Sequence, residues 1–191
     1  MKKKDIRHYY KDKRRQLSAS QINRLDDLLL IQFQKLPITI PAVIMTYAAI
    51  ETQKEFNPQL ITDYWYFKNP ELQLIYPLLV NTNENTEMIA VLTHEETLFE
   101  TNNVGIDEPV NGNEILSNEI EMIIVPLLGF DRKGYRVGYG KGYYDRFLKK
   151  CNNDCVKIGF SYFDPIDAID DINSFDIPLD FCITHEKIYA F

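Results

Sequence analysis

An apolar strand, a glycine-rich loop and a helix follow one another between residues 122 and 148. Met122 to Val125 is uniformly apolar, which predicts a buried strand, and Pro126 ends it. Four glycines follow at positions 134, 138, 140 and 142, and a helix is predicted to begin near Tyr143. Because glycine adopts positive φ and lets a ligand approach the backbone closely, the N–H groups of such a loop can converge on phosphate oxygens at a helix N-terminus.

Charged residues in the loop extend this interpretation. Arg136 and Lys141 add positive charge, and Asp145, in the first helical turn, could hold a Mg²⁺ ion that accompanies the phosphates. These parts suit a nucleoside triphosphate. The same stretch could also be only a surface turn, since it lacks the Gly-Lys-Ser/Thr ending of a Walker A loop and the Gly-x-Gly-x-x-Gly spacing of a dinucleotide site. General motifs therefore do not identify the ligand.

Length and composition indicate one well-buried domain, residues 1–191, in which 45% of residues are hydrophobic. The sequence contains no run of about eighteen apolar residues, so no membrane span is predicted. The lysine-rich N-terminus is not followed by the apolar segment of a secretory signal. We therefore expect a cytoplasmic protein without membrane partners. The three cysteines are an odd number with no histidine near them in sequence, which favours free thiols. The three histidines suggest no Ser/His/Asp or Cys/His arrangement, which disfavours a hydrolase with a side-chain nucleophile.

The net charge of −7 is unevenly distributed along the chain. Residues 1–15 carry a net charge of +6, and the remainder carries −13. An acidic body repels polyanions, so nucleic acid is not an expected partner, whereas a basic N-terminal segment could still reach a small polyphosphate.

The N-terminal segment predicts a helix from Lys3 to Leu17. Lys3, Arg7, Tyr10 and Arg14 fall on one face of it, because spacings of four, seven and eleven residues return to nearly the same angle. The pattern alone is typical of a solvated, charged helix. A second helix is predicted to begin after Ser18 and to run to about Lys35, with Ser18 and Gln21 forming a capping box.

Further strands are predicted at 42–47, 72–76, 88–93 and 157–161. Pro77 is expected to end the second of these. Open α/β sheets bind ligands beyond the carboxyl ends of their strands, so the loop after Tyr47, which contains Ile50, Glu51 and Glu55, is expected to line a site. Strands that alternate with helices indicate a three-layer α/β/α domain.

The complete string around the loop is more specific than any of these patterns. Pro126-Leu-Leu-Gly-Phe-Asp131, a short gap, and Gly134-Tyr-Arg-Val-Gly-Tyr-Gly-Lys-Gly-Tyr-Tyr-Asp-Arg-Phe-Leu148 closely resemble the signature of the 5-formyltetrahydrofolate cyclo-ligase family. The resemblance implies a Rossmann-like fold with a mostly parallel sheet, related to sugar-phosphate isomerases and CoA transferases. It also implies ATP as co-substrate, Mg²⁺ as cofactor and a reduced folate as substrate, and we expect a monomer.

The resemblance also implies roles for individual residues. The expected catalytic residues are Arg136, Lys141 and Asp145. The expected metal ligands are Asp145 and Asp176, with Asp180 as an alternative. The expected substrate contacts are Arg7, Ile50, Glu55, Tyr139 and Tyr143. The expected ATP contacts are Lys3, Lys4, Arg7, Arg136, Val137, Gly138, Tyr139, Gly140, Lys141, Gly142, Tyr143 and Tyr144.

Several matches to the family are approximate. Lys3-Lys-Asp-Ile-Arg7 resembles the family's Lys-x-x-Leu-Arg element, but its register leaves Lys3 and Lys4 hard to distinguish. Glu55 is the preferred match to the family's folate-binding glutamate, and Glu51 is the competing register. Phe175 stands where the family usually has histidine. Residues 104–109 resemble a segment that borders the family's active site, although the sequence shows no partner for Glu108.

The implied reaction converts 5-formyltetrahydrofolate and Mg·ATP to 5,10-methenyltetrahydrofolate, ADP and phosphate through an N5-iminium phosphate. Two other function classes remain open at this point. One is a binding module that holds folate or nucleotide without turnover. The other is a phosphosugar isomerase, suggested only by fold kinship.

Overall fold

A computed structural model describes residues 1–83, 85–102 and 105–191. Its α-helices are α1 (Lys3–Gln16), α2 (Ala19–Phe33), α3 (Gln59–Lys68) and α4 (Tyr143–Leu148). Its first six strands are β1 (Val43–Met45), β2 (Gln73–Asn81), β3 (Thr86–Thr93), β4 (Phe99–Thr101), β5 (Asp107–Pro109) and β6 (Asn113–Ile115). The remaining strands are β7 (Met122–Val125), β8 (Gly129–Phe130), β9 (Arg136–Val137), β10 (Val156–Ser161), β11 (Phe181–Thr184) and β12 (Ile188–Ala190).

The main sheet has the strand order β12-β11-β10-β7-β1-β2-β3-β6. The five central strands, from β11 to β2, are parallel to one another, whereas the pairings β11–β12, β2–β3 and β3–β6 are antiparallel. From β1 the chain continues to β2 on one side, whereas β7 and then β10 lie on the other side. The crevice beyond the carboxyl ends of β1 and β7 is therefore the point at which strand order reverses, where open α/β sheets bind ligands.

Apolar side chains cover both faces of this sheet, because parallel strands flanked by helices are buried on both sides. On one face, Leu29 and Phe33 of α2 and Trp65 of α3 pack with Ile44 and Ile124. On the other face, the side chains of α4 and of the segment after β7 complete a second cluster, which contains Met45, Ile123, Val125, Leu127, Phe147 and Leu148. The result is the three-layer arrangement that the sequence predicted.

A separate small cluster attaches α1 to the region after β7. Ile6 and Tyr10 pack with Leu128 and Val137. Gly129 permits this contact, since a Cβ atom there would lie 2.4 Å from the Tyr10 ring. Helix α1 therefore lies against the β8–β9 hairpin, at the carboxyl edge of the sheet.

The predicted α/β fold with a mostly parallel central sheet is confirmed, as is the capping box of α2. The prediction that Pro77 ends a strand is wrong, because β2 continues to Asn81. Pairing with β1 stops at Ile75, so among the described strands β2 is paired at Pro77 with β3 alone, and the missing N–H is tolerated.

Cys151, Cys155 and Cys182 are free thiols, as predicted. Within the described ranges, no helix is long and apolar enough to cross a membrane. Val104, the first residue of the predicted 104–109 segment, lies outside the described residues. Glu108 has a partner that the sequence did not indicate, because its Oε1 accepts the Leu79 N–H at 3.3 Å. That the chain forms one domain stays a prediction.

Candidate active site

Glu55 lies in the loop after β1 and is 8% exposed. Its Oε2 accepts the Ile50 N–H at 2.8 Å, and its Oε1 accepts the Tyr139 hydroxyl at 2.5 Å. The preceding residue, Lys54, has the left-handed backbone conformation (φ 49°), and its ammonium donates to the Arg15 and Leu17 carbonyls at the end of α1. The C-terminal end of α1 thus helps to place Glu55 beside the glycine-rich loop.

The competing residue Glu51 lies elsewhere. It begins a short 3₁₀ turn, Glu51–Gln53, and is exposed. Of the two registers that the sequence left open, the geometry therefore favours Glu55 as a residue that faces the site.

Asp131 organises the start of the loop. It is completely buried, and its Oδ1 accepts the N–H groups of Lys133 and Tyr135 at 2.9 and 3.1 Å. Its Oδ2 accepts the Ile169 N–H at 3.1 Å. A buried carboxylate is stable when its lone pairs are occupied in this way. Asp131 therefore fixes the hairpin from which Arg136 extends, a role that the sequence did not reveal.

Arg136 and Asp145 form a largely buried ion pair. Their Nη2 and Oδ1 atoms are 3.2 Å apart, and the side chains are 5% and 27% exposed. Burial lowers the pKa of Arg136, and the charge of Asp145 opposes that shift. Asp145 Oδ1 also accepts the Ile177 N–H at 3.1 Å, and Arg136 Nη1 donates to the Ile177 carbonyl. An anion that replaced these oxygens would meet an arginine already oriented by its surroundings.

Helix α1 contributes two cations to the same region. Arg7 Nε donates to the Gly138 carbonyl at 2.8 Å, and Lys3 Nζ lies 2.5 Å from Asp176 Oδ1. Gly140 has φ +96°, and a Cβ atom there would lie 3.0 Å from Arg7 Cζ, so the guanidinium packs directly on the loop backbone. Lys4, by contrast, is exposed on the outer face of α1. The geometry thus separates Lys3 from Lys4.

Two further residues of this segment have polar groups that are free to bind a ligand. Lys141 is exposed, and in the described part of the chain its ammonium has no partner. The Tyr144 hydroxyl is buried and has no hydrogen-bond partner among the described residues. Burial and the charge of Glu55 raise the Tyr144 pKa, while Arg136 lowers it. The phenol therefore stays protonated and keeps a hydrogen that it can donate to a ligand.

Two carboxylates are candidates for Mg²⁺, and both carry other contacts in this structure. Asp145 contacts Arg136, and Asp176 contacts Lys3 and accepts the Asn173 N–H at 2.7 Å. The described residues contain no cluster of three or more metal-binding side chains. The donor set nevertheless fits Mg²⁺, which takes one or two carboxylates together with phosphate oxygens and water. Asp180 fits less well, because its Oδ2 is bound to the backbone N–H and the ammonium of Lys157.

Comparison with known proteins decides the family. A profile of the 5-formyltetrahydrofolate cyclo-ligase family matches residues 1–178. The chain belongs to this family.

Relatives along the full length agree with that assignment. The 5-formyltetrahydrofolate cyclo-ligase of Mycoplasma pneumoniae is 29% identical over 192 residues, which cover 97% of this chain and 100% of the relative. The NMR structure of Aquifex aeolicus 5,10-methenyltetrahydrofolate synthetase has a TM-score of 0.78 at 28% identity and covers 100% of this chain and 93% of its own. A 5,10-methenyltetrahydrofolate synthetase from Mycoplasma pneumoniae has a TM-score of 0.74 at 25% identity, with coverages of 97% and 99%. These names are those of an enzyme, and the chain is an enzyme of the cyclo-ligase family.

The cyclo-ligase signature is thus distributed over one edge of the sheet. Gly138 and Gly140 contact Arg7 of α1, and Tyr139 contacts Glu55 of the β1 loop. Arg136 and Asp145 of the same segment pair with each other. The side chains of three residues that were predicted to contact ligands, Val137, Tyr143 and Lys4, lie apart from this group.

Val137 is a buried side chain of the α1 cluster. Tyr143 lines a small cavity with Met88 and Phe147 on the β3 side of α4. Lys4 lies on the outer face of α1, as described above. Tyr144, also in α4, has a pKa that is raised by burial and by the charge of Glu55.

Proposed function

We propose that this cyclo-ligase converts 5-formyltetrahydrofolate to 5,10-methenyltetrahydrofolate with Mg·ATP, releasing ADP and phosphate. One observation carries the proposal. Gly138 accepts a hydrogen bond from Arg7, a cation suited to phosphate, while the next residue, Tyr139, donates to the buried Glu55. An anion site and a site that accepts hydrogen bonds are therefore adjacent on a single loop.

The anion half suits the triphosphate of ATP. Lys3, Arg7 and Arg136 each bind a protein oxygen that a phosphate oxygen could replace, and Lys141 is already free to do so among the described residues. The loop backbone from Val137 to Tyr144 supplies further N–H groups, as at other phosphate-binding loops. Asp145 and Asp176 would hold Mg²⁺, which when bound neutralises charge on the phosphates.

The other half suits the folate. The two Glu55 oxygens already accept hydrogen bonds from Tyr139 and Ile50, and a carboxylate has acceptor capacity beyond two bonds. Glu55 can therefore accept N–H groups of the folate ring system. Tyr139 and the Ile50 side chain would form walls of this pocket, and Arg7 lies where the folate and the phosphates would meet.

The reaction begins when the formyl oxygen on N5 attacks the γ-phosphorus and ADP leaves. The product of this step is an N5-iminium phosphate. N10 then attacks the formyl carbon, loses its proton, and the carbon–oxygen bond breaks to release phosphate. Positioning and charge stabilisation dominate phosphoryl transfer, and Arg136, Arg7, Lys3 and Lys141 are suited to both.

An isotope experiment tests this route. Substrate labelled with ¹⁸O in the formyl group should yield inorganic phosphate that contains one ¹⁸O atom per methenyl product, measured by ³¹P NMR or mass spectrometry. Label in water with unlabelled phosphate would contradict attack by the formyl oxygen. Folate binding without ADP formation would favour a binding module, and turnover without ADP would favour an isomerase.

A further inference from the structure

Arg14 is a buried cation on α1 that the proposed reaction does not use. It is 3% exposed, although its guanidinium is always charged. Nη2 donates to the Leu127 carbonyl. Nε and Nη1 are also buried, and neither has a hydrogen-bond partner in residues 1–83, 85–102 and 105–191. Such a charge is costly unless a nearby negative group compensates it.

Contacts of α1 on either side of Arg14 bring this part of the helix against Tyr139 and the Glu55 loop. Lys11 Nζ lies 5.0 Å from the centre of the Tyr139 ring, and Lys54, the neighbour of Glu55, donates to the Arg15 and Leu17 carbonyls. The buried carboxylate in this region is Glu55.

Burial raises the pKa values of Tyr47, Tyr139 and Tyr162, the charge of Glu55 raises each of them further, and the charge of Arg14 lowers each of them. Glu55 and Arg14 thus have opposite effects on the pKa values of the same three hydroxyl groups, in agreement with their placement. Arg14 therefore has N–H groups that are unpartnered among the described residues, on the helix turn that follows the Lys11–Tyr139 contact.

The chemistry of the three groups fixes the direction of their contacts. A guanidinium only donates hydrogen bonds, so towards Arg14 the Tyr139 oxygen can only accept. The Tyr139 hydrogen is therefore available for Glu55, in agreement with the 2.5 Å contact to Oε1. The Ile50 N–H holds Oε2 at the same time, which leaves the carboxylate with a single orientation.

We propose that Arg14 is a positioning residue for folate recognition, which acts through the Tyr139 hydroxyl to orient Glu55 and to balance its charge. The inference rests on the proposed function only in naming folate as the ligand of Glu55. A merely structural role, in which Arg14 fastens α1 to Leu127, would affect stability without distinguishing folate from ATP.

Calorimetry of 5-formyltetrahydrofolate binding without ATP tests the inference on the full chain. Arg14→Met, which keeps most of the apolar stem, should weaken folate binding about tenfold, the scale of a hydrogen bond to a charged group. Binding of Mg·ATP should change less than twofold. Arg14→Lys should recover part of the folate affinity because it retains the charge. Arg15→Met is the matched control, since Arg15 is exposed and pairs with Asp12 at the surface.

A double-variant cycle with Tyr139→Phe separates the two roles. If Arg14 acts through the hydroxyl, Arg14→Met should have little further effect on folate binding in the Tyr139→Phe background. Should Arg14→Met fail to fold, the same cycle with Arg14→Lys measures the coupling between positions 14 and 139 in folate binding.

Wild-type folate affinity in folded Arg14→Met, equal losses for folate and Mg·ATP, or additive effects in the cycle would overturn the inference. No folate binding by the wild-type protein would overturn the proposed function together with it.

Discussion

Arg136 is the residue whose environment argues most directly for a role in catalysis. It is buried, ion-paired and held at both ends of its guanidinium by oxygens of Asp145 and Ile177. Such an arrangement pre-orients positive charge, and the cost of orientation is met during folding rather than during the reaction.

Replacing Arg136 with alanine should lower turnover by about a hundredfold or more, the scale observed when one electrostatic stabiliser is lost. Steady-state kinetics at saturating folate and Mg·ATP would measure it. Arg132→Ala is the matched control, because Arg132 lies in the same segment but is 65% exposed and pairs with Asp167. Near wild-type turnover in the Arg136 variant would remove it from the mechanism.

Glu55→Gln should raise the KM for 5-formyltetrahydrofolate by about tenfold or more and leave the KM for ATP almost unchanged, because hydrogen bonds to a charged acceptor are lost. Initial rates with one substrate varied at a time would measure both constants. Glu51→Gln, in the exposed 3₁₀ turn, should behave as wild type. The opposite pattern between the two variants would mean that Glu51 is the folate ligand.

At this scale the sequence indicated residue types better than residue environments. The glycine loop with its Arg, Lys and Asp was visible because those residues lie close together in the chain. Which of Lys3 and Lys4 faces the loop depends on which face of α1 packs on Gly129. Which of Glu55 and Glu51 faces the site depends on the backbone conformation of Lys54.

The role of Asp131 was not recognised because it includes a bond to the distant Ile169 N–H as well as bonds to nearby N–H groups. Arg14 was placed on the cationic face of the helix, but its burial was not recognised because its partner, the Leu127 carbonyl, is distant in sequence.

Helix α1 is the element that joins the two halves of the site. Its inner face carries Ile6 and Tyr10 into a small apolar cluster and directs Lys3 and Arg7 at the loop, and its last turn accepts Lys54. The sequence predicted the bounds of this helix and its row of cations. On pattern alone it favoured a solvated helix, because charge periodicity does not show what a helix packs against.

Gly140→Ala should disturb the contact between α1 and the loop. The positive φ costs an alanine about 1–2 kcal/mol, and its Cβ would press on Arg7, so the KM for ATP should rise about tenfold. Substrate-saturation kinetics would test this. Gly105→Ala is the control, since Gly105 has φ +84° but a Cβ there would meet no atom within 4 Å among the described residues beyond its chain neighbours. Equal effects of the two substitutions on the KM for ATP would refute the proposed contact.

For the molecule as a whole, the layered α/β arrangement with a mostly parallel sheet was the most predictable property, and strand pairing at the edges of the sheet was the least. Apolar runs between helices predict a layered α/β domain whatever their exact ends. The antiparallel extension of β2 past Pro77 could not be predicted, because it depends on β1 ending at Met45. Because β1 ends at Met45, the loop that follows it carries Glu55 to the crevice.

Global stability offers a test of how α2 joins this sheet. Asp26 of α2 accepts the Tyr162 hydroxyl at 2.8 Å after the end of β10, and burial raises its pKa from 3.8 to about 6, although the Tyr162 hydrogen bond lowers it. An acid whose folded pKa is raised destabilises the fold when ionised. This cost appears as pH rises from about 4 to 6 and is fully present above that.

Asp26→Asn should therefore raise the free energy of unfolding by about 1–2 kcal/mol at pH 7.5 and by much less at pH 4, after allowance for partial exposure. Urea denaturation at the two pH values would measure the difference. Asp27→Asn on the same helix should give a much smaller gain, because Asp27 is exposed and its charge is the smallest contribution to the raised pKa of Asp26. A gain that is equal at both pH values would show that Asp26 is not a buried, ionised group.

The proposed reaction is tested most directly by the near-ultraviolet absorbance of the purified protein mixed with 5-formyltetrahydrofolate and Mg·ATP. The methenyl chromophore should grow with one ADP released per product, chelation of Mg²⁺ should stop its growth, and Asp145→Asn should largely abolish it. Absence of the chromophore with folded, wild-type protein, or its growth without ADP release, would contradict the proposed reaction.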